Sequence, residues 1–154
     1  RWQLLWSTGP AHFSEVSQAI RRIDGLPPNE HVLTPYIERM AMAYAAADLV
    51  LGRAGALTLA ELTALGKPAV LVPLPSAKGG HQESNARQLA ARGAAVVIDQ
   101  NDPEASAKLH DYMERWALEP QLLEEMGAAA RRLGRPHAAA ELARVVMDVL
   151  RETR

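Results

Sequence analysis

A rhythm constrains this chain more than any single motif does. From Trp2 to Ile98, short apolar runs alternate with longer stretches in which apolar residues recur at helical spacing, and the connections are short. The runs read as strands: Trp2 to Ser7 (buried), His31 to Thr34, Asp48 to Leu51, Ala69 to Pro73, and Ala94 to Ile98. Between them, Ser14 to Ile23 is apolar at Val16, Ala19, Ile20 and Ile23. Tyr36 to Ala47 is apolar at Ile37, Met40, Ala41, Tyr44 and Ala47. Both patterns fit helices. A third helix follows Gly55, with Leu57, Ala60, Glu61, Leu62 and Leu65 in phase, and a fourth runs from about His81 to Arg92, closed by Gly93 as a C-cap. Gly25 to Asn29, with two prolines, reads as a loop. Such alternation predicts an α/β fold, a parallel sheet with helices on both faces and right-handed crossovers. From Asp102 the pattern is helical only. Asp102 suits an N-cap and Pro103 the first helical position. The helices run to about Ala117, from Gln121 to Leu133, and from about Pro136 to the end.

Two stretches carry chemistry. GRAGALTLAEL, Gly52 to Leu62, takes a strand through glycines onto the start of a helix. Free N–H groups of a first helical turn, with the helix dipole behind them, favour an anion. Gly55, Ala56, Leu57 and Thr58 then cradle a pyrophosphate, with Leu59 and Ala60 continuing the turn, or they form an ordinary tight bend. Thr58 and Glu61 fit a capping box with Thr58 as N-cap. Glu61 fits equally a carboxylate that accepts from both hydroxyls of a ribose. Arg53 either neutralises a phosphate or is a surface or ion-paired arginine. The second stretch, GHQESNA from Gly80 to Ala86, places His81, Gln82 and Asn85 at another helix start. The two amides suit sugar hydroxyls, or they cap the helix. His81 is a general base, a donor to sugar or phosphate, or a plain loop histidine. In a parallel sheet both stretches fall outside the carboxyl ends of the strands, where ligands bind.

Composition narrows the chemistry further. A net charge of −1 gives no footprint for nucleic acid. The chain has no cysteine, hence no disulfide frame and no thiolate metal site. No Asp-x-Asp pair is present to hold a divalent ion, and His12, His31, His110 and His137 have no ligand spacing, so neither metal nor cofactor is expected. The turn at Gly55 lacks the three spaced glycines of a dinucleotide fingerprint. No apolar run approaches the roughly 20 residues that span a bilayer, and there is no signal peptide, so a cytoplasmic location is expected. A first residue that is Arg, inside a strand pattern, reads as part of something longer.

DLVLGRAGALTLAELTALGKPAVLVPLP followed by GHQESNA resembles the C-terminal half of the MurG family. The likeness runs from about Trp2 to the C-terminus, tightest from Asp48 to Ala86 and looser in the last helices. It implies a Rossmann-like donor domain, the C-terminal half of a GT-B glycosyltransferase. That family transfers N-acetylglucosamine from its UDP donor to the lipid-linked muramyl-pentapeptide of peptidoglycan synthesis. Carried over, Ala56, Leu57 and Thr58 meet the diphosphate, Glu61 holds the ribose diol, and the backbone of Ile37 reads the uracil edge. Gln82 and Asn85 contact the N-acetylglucosamine. Residues 1–154 then form a single UDP-sugar-binding domain with a helical segment from about 102.

The chain departs from the family pattern at Gly80, where an acidic residue usually precedes the histidine, and a more mobile loop is expected. The resemblance also implies an N-terminal domain, outside this sequence, that carries a histidine proposed as the base, binds the lipid-linked acceptor and meets the inner face of the plasma membrane. The first strand of the donor domain, with its Gly-Gly-Ser turn, is outside it too. UDP-N-acetylglucosamine 2-epimerases share the architecture, but usually pair glycines and glutamates in this turn, where Gly55-Ala56 and one Glu61 stand here. A catalytically silent nucleotide-sugar-binding module and one subunit of a split transferase are the remaining alternatives.

Overall fold

The computed structural model describes residues 2–24, 26–27, 30–75 and 80–152. Of the loop read at Gly25 to Asn29, Gly25, Pro28 and Asn29 lie outside these residues, as do residues 76–79. The chain forms two compact units, Arg1–Ala47 and Asp48–Arg154. Among the described residues the strands pair as two parallel sheets, one of two strands and one of three.

In the first unit β1 (Leu4–Ser7) and β2 (His31–Thr34) pair in parallel, Leu4 opposite His31 and Ser7 opposite Thr34. The crossover is α1 (Phe13–Ile20), whose half-buried Phe13, Val16, Ser17 and Ile20 share one face. The expectation of a buried first strand is corrected: Leu4, Leu5 and Trp6 are 49%, 48% and 41% exposed. Among the described residues β1 has a ladder partner on one edge only, and a strand is buried by what covers its faces, not by its own composition. α2 (Met40–Ala46) starts later than Tyr36. The Thr34 hydroxyl donates to the Tyr36 carbonyl (2.7 Å) and accepts from the Tyr36 N–H (3.4 Å). Those local bonds hold the chain in a turn and compete with helix. The first helical bonds reach back only to the Arg39 carbonyl.

In the second unit β3 (Val50–Gly52), β4 (Ala69–Leu71) and β5 (Ala95–Val97) run parallel in the order β3-β4-β5, with β4 central and wholly buried. α3 (Ala56–Leu65) and α4 (His81–Ala90) are the crossovers. Both end in the same glycine motif. Gly66 and Gly93 take φ of 66° and 70°, a region that costs other residues strain. Lys67 N–H then reaches the Leu62 carbonyl and Ala94 N–H the Leu89 carbonyl, satisfying groups the helices leave open. The expected end of α4 is corrected by two residues: the helix stops at Ala90 with Ala91 as its C-cap, and Gly93 closes the turn that follows. α5 (Ala105–Leu118) starts after the expected Asp102 N-cap. Asp102 accepts the Glu104 N–H at 2.9 Å, but its carbonyl takes the Ala105 N–H in a tighter turn before the α-helix begins. Lys108 donates to the Asp102 carboxylate and, with the Glu104 N–H, holds it below the usual carboxylate range.

α6 (Gln121–Leu133) packs along α3, and small residues decide how closely. A Cβ on Gly134 would lie 2.5 Å from the Thr63 carbonyl oxygen, and one on Gly127 would lie 2.8 Å from that of Gly66. Arg131 donates to the Leu65 carbonyl at 3.1 Å, pinning α6 to the last turn of α3. The core of the second unit is rich in alanine: Ala54, Ala69, Ala86, Ala94 and Ala130 are buried, as are Leu62, Val70 and Leu71. α7 (Ala138–Glu152) follows, with Leu142, Val145, Val149 and Leu150 more than half exposed.

The seam gives a direct test. Gly134→Ala forces a methyl against α3 backbone and is expected to destabilise the chain by about 1–3 kcal/mol, the usual cost of overpacking. Gly52→Ala, with open space around its Cβ, is expected to stay within about 0.5 kcal/mol. Denaturant unfolding of the two variants checks the contrast.

Candidate functional site

Parallel pairing of β3, β4 and β5 brings their exits to one end of the sheet. α3 begins there. Gly55 is its N-cap, in extended conformation (φ −67°, ψ 145°), and no side chain caps the helix. The first intrahelical bond runs from the Leu59 N–H to the Gly55 carbonyl. The N–H groups of Ala56, Leu57 and Thr58 therefore point out of the helix start with the dipole behind them.

The cap position corrects the capping-box reading. With Gly55 as N-cap, Thr58 occupies the third helical position and Glu61 the sixth, too far along for Glu61 to reach back to the N-cap N–H. Glu61 is half-buried and sits one turn beyond Leu57 on the same side of α3. The apolar pattern is corrected as well. α3 buries Leu59, Leu62 and Thr63, while Leu57 is 74% exposed and Ala60 and Leu65 also face outward. The Thr63 hydroxyl is satisfied within the helix by the Leu59 carbonyl at 2.8 Å. Gly55 has no steric duty in the fold: its φ is negative, and a Cβ there would meet only the Thr58 hydroxyl at 3.9 Å.

α4 begins at the same end, one strand over. Gly80 precedes it in left-handed conformation. His81 is exposed. Gln82 and Asn85 are half-buried. Gln82 Oε1 accepts the Leu74 N–H at 3.0 Å, so this amide is tied to the chain leaving β4 and does not cap its own helix.

Arg53 lies between these helix starts, and its partners are uncharged. Nη1 donates to the carbonyls of Val72 (3.1 Å) and Pro73 (3.4 Å) and to Gln100 Oε1 (2.6 Å). One side chain thus joins the exits of β3, β4 and β5. The sequence reading left Gln100 out, because nothing in its neighbourhood marks a partner 47 residues from Arg53.

The second unit thus gathers Arg53, Gly55 to Glu61, His81, Gln82 and Asn85 at one end of its sheet. Ile37 belongs to the first unit, half-buried in the non-helical stretch before α2. A hollow of about 380 Å³, beside Arg92, Tyr112, Trp116 and Arg132, lies elsewhere, at the entry of β5. Among the described residues no group of three or more His, Cys, Asp or Glu is placed to hold a metal ion.

A helix start of this kind on a parallel sheet occurs in many proteins; comparison narrows the choice. The model of the glycosyltransferase family 28 C-terminal domain matches residues 1–142. The chain belongs to this family. Its fold is accordingly α/β with parallel sheets, of the GT-B glycosyltransferase class. Two curated relatives are named UDP-N-acetylglucosamine–N-acetylmuramyl-(pentapeptide) pyrophosphoryl-undecaprenol N-acetylglucosamine transferase. That of Bacillus thuringiensis (strain Al Hakam) is 38% identical over 98% of this chain and 41% of its own length. That of Chlorobium limicola is 41% identical over 97% of this chain and 39% of its own length. The chain thus spans about two fifths of the length of these relatives. The crystal structure of Acinetobacter baumannii MurG superposes with a TM-score of 0.79 and 34% identity, covering 94% of this chain and 42% of that one. The glycosyltransferase VinC, solved with dTDP, shares the fold at 20% identity and a TM-score of 0.60.

The corrected cap predicts a small effect where a capping box would give a large one. Thr58→Ala is expected to change the unfolding free energy by less than about 0.5 kcal/mol, against the roughly 1 kcal/mol lost with a true N-cap. Denaturant titration of the variant decides between the two positions.

Proposed function

We propose that this chain is the UDP-sugar-binding domain of an inverting glycosyltransferase, which moves N-acetylglucosamine from UDP-N-acetylglucosamine to a lipid-linked muramyl-pentapeptide. The observation that carries the reading is the uncapped start of α3 at the carboxyl end of a parallel sheet, in a chain about two fifths identical to relatives named for that transfer.

The roles follow from the chemistry of each group. The N–H groups of Ala56, Leu57 and Thr58 meet the diphosphate, and Gly55 leaves room for its approach. Glu61, on the same side of α3, accepts from the ribose hydroxyls. The backbone of Ile37 reads the pyrimidine edge. Gln82 and Asn85 contact the sugar, and His81 donates to sugar or phosphate at the rim. In the whole enzyme a base from the acceptor domain deprotonates the acceptor 4-hydroxyl, which attacks the anomeric carbon. The C–O bond to UDP breaks as the new glycosidic bond forms. The growing negative charge on the diphosphate falls on the N–H groups of α3, which therefore contribute most in the transition state. Work on a lipid-linked acceptor places the enzyme at the inner face of the plasma membrane, in cell-wall synthesis, and so in cell shape and division. No helix among the described residues is long and apolar enough to cross a membrane, which suits peripheral attachment through the acceptor domain.

Two measurements test the reading. Glu61→Gln removes the charge from two hydrogen bonds to the ribose. Bonds to charged groups contribute about 1.5–3 kcal/mol, so UDP affinity is expected to fall about ten- to a hundredfold. The variant should no longer distinguish UDP from 2′,3′-dideoxy-UDP. A coupling below about 0.5 kcal/mol in this cycle, the level at which independent sites add, would separate Glu61 from the ribose. The second measurement is UDP binding with and without a chelator. Charge on the diphosphate is met by helix N–H groups, so affinity is expected to change less than about tenfold; a greater loss would mean that a divalent ion does this work.

A further inference from the structure

We propose that Arg53 is a positioning residue for Gln82, fixing the amide that meets the donor sugar without itself touching the donor. The proposal rests on the donor-binding reading above.

The chain leaving β4 is held at three successive points. The Val72 N–H makes the last ladder bond, to the Gly52 carbonyl at 2.9 Å. The carbonyls of Val72 and Pro73 then face Arg53 Nη1. Pro73 has no N–H to give, so the next donor is the Leu74 N–H, taken by Gln82 Oε1 at 3.0 Å. These bonds form one line: Gln100 Oε1, Arg53, the peptides of Val72 and Pro73, the Leu74 N–H, and the Gln82 amide. A guanidinium suits its place, because it spreads several donors from one rigid plane. Gln100 sets the plane from the far side, beyond β5.

The line has a consequence for specificity. A backbone N–H can only donate, so the oxygen of Gln82 must face Leu74 and the NH₂ must face away. Gln82 therefore turns its NH₂ donors outward, which suits hydroxyl, carbonyl or phosphate oxygens. Without Arg53 the Val72–Leu74 peptides lose their anchor, the Leu74 N–H swings, and the amide is free to turn over and present its oxygen. The sequence reading of Arg53 as a phosphate ligand is the competing role. Nη1 already serves three acceptors that belong to the protein.

Calorimetry on the whole chain with UDP and with UDP-N-acetylglucosamine separates the two roles, for the wild type, Arg53→Met, Gln82→Ala and the double variant. Arg53→Met is expected to lower the affinity for UDP-N-acetylglucosamine about three- to tenfold, the range of one ordinary hydrogen bond. Affinity for UDP should stay unchanged, and no further loss should appear in the Gln82→Ala background. Equal losses for both ligands, persisting in Gln82→Ala, would overturn the proposal and make Arg53 a phosphate ligand. Amide hydrogen exchange at Leu74 is a readout that needs no ligand. Arg53→Met and Gln82→Ala should both speed it about tenfold or more while the buried Leu62 amide exchanges as before. Unchanged exchange at Leu74 in Arg53→Met would overturn the proposal. A wild-type chain that binds neither ligand would overturn the donor reading and with it the role of Gln82. Leu74 exchange in the same samples would then show whether that failure or a broken clamp was the cause.

Discussion

Three strands running the same way set everything else in the second unit. Antiparallel strands alternate their exits; β3, β4 and β5 release the chain at one end only. Every crossover helix then starts at that end. Helix starts carry unsatisfied N–H groups and the positive end of a dipole. The parallel ladder thus collects donors on one side before any functional side chain is considered. It also collects carbonyls, because strand exits leave theirs unpaired. Arg53 answers that surplus at Val72 and Pro73. A residue that looks like an anion ligand from its neighbours is, in the folded chain, a cation serving carbonyl dipoles.

Precision at the start of α3 is established at its other end. Gly66 ends the helix in a left-handed turn, and Gly127 and Gly134 let α6 come against that turn backbone to backbone. Arg131 adds a bond to the Leu65 carbonyl. A helix clamped at its C-terminus and continuous with β3 through a short turn has little freedom left at its N-terminus. Groups aimed in advance at developing charge act without rearrangement during the reaction. The seam of glycines and the start of α3 thus belong to one mechanical unit. Loops cannot supply such rigidity, and here they contribute backbone groups that must themselves be held in place, as at Leu74.

Much of this was legible in the residues. Period and punctuation gave the order of strands and helices, because hydrophobic spacing and glycine φ are local properties. The left-handed turn at Gly93 after α4 is one example, since such a turn after a helical run suits glycine almost alone. The resemblance carried by Asp48 to Ala86 pointed to the family that the comparisons bear out. Other features escaped for equally physical reasons. α3 has apolar residues spread around its circumference, so its pattern could not choose a face; in the folded chain Leu59 and Leu62 are buried and Leu57 is left outside. The N-cap fell on Gly55 instead of Thr58, because the turn out of β3 fixed where helical geometry could begin.

The sequence by itself determined the elements, their order, and the residue types available at each helix start. These follow from interactions a few residues long, which the chain carries wherever it lies. Tertiary structure alone decided which strands share a sheet, which face of α3 is buried, and what Arg53 binds. Its bonds to Val72 and Gln100 join residues 19 and 47 positions apart. Such partners meet only after β3, β4 and β5 have paired, because closing loops of that length costs entropy that local preference cannot repay.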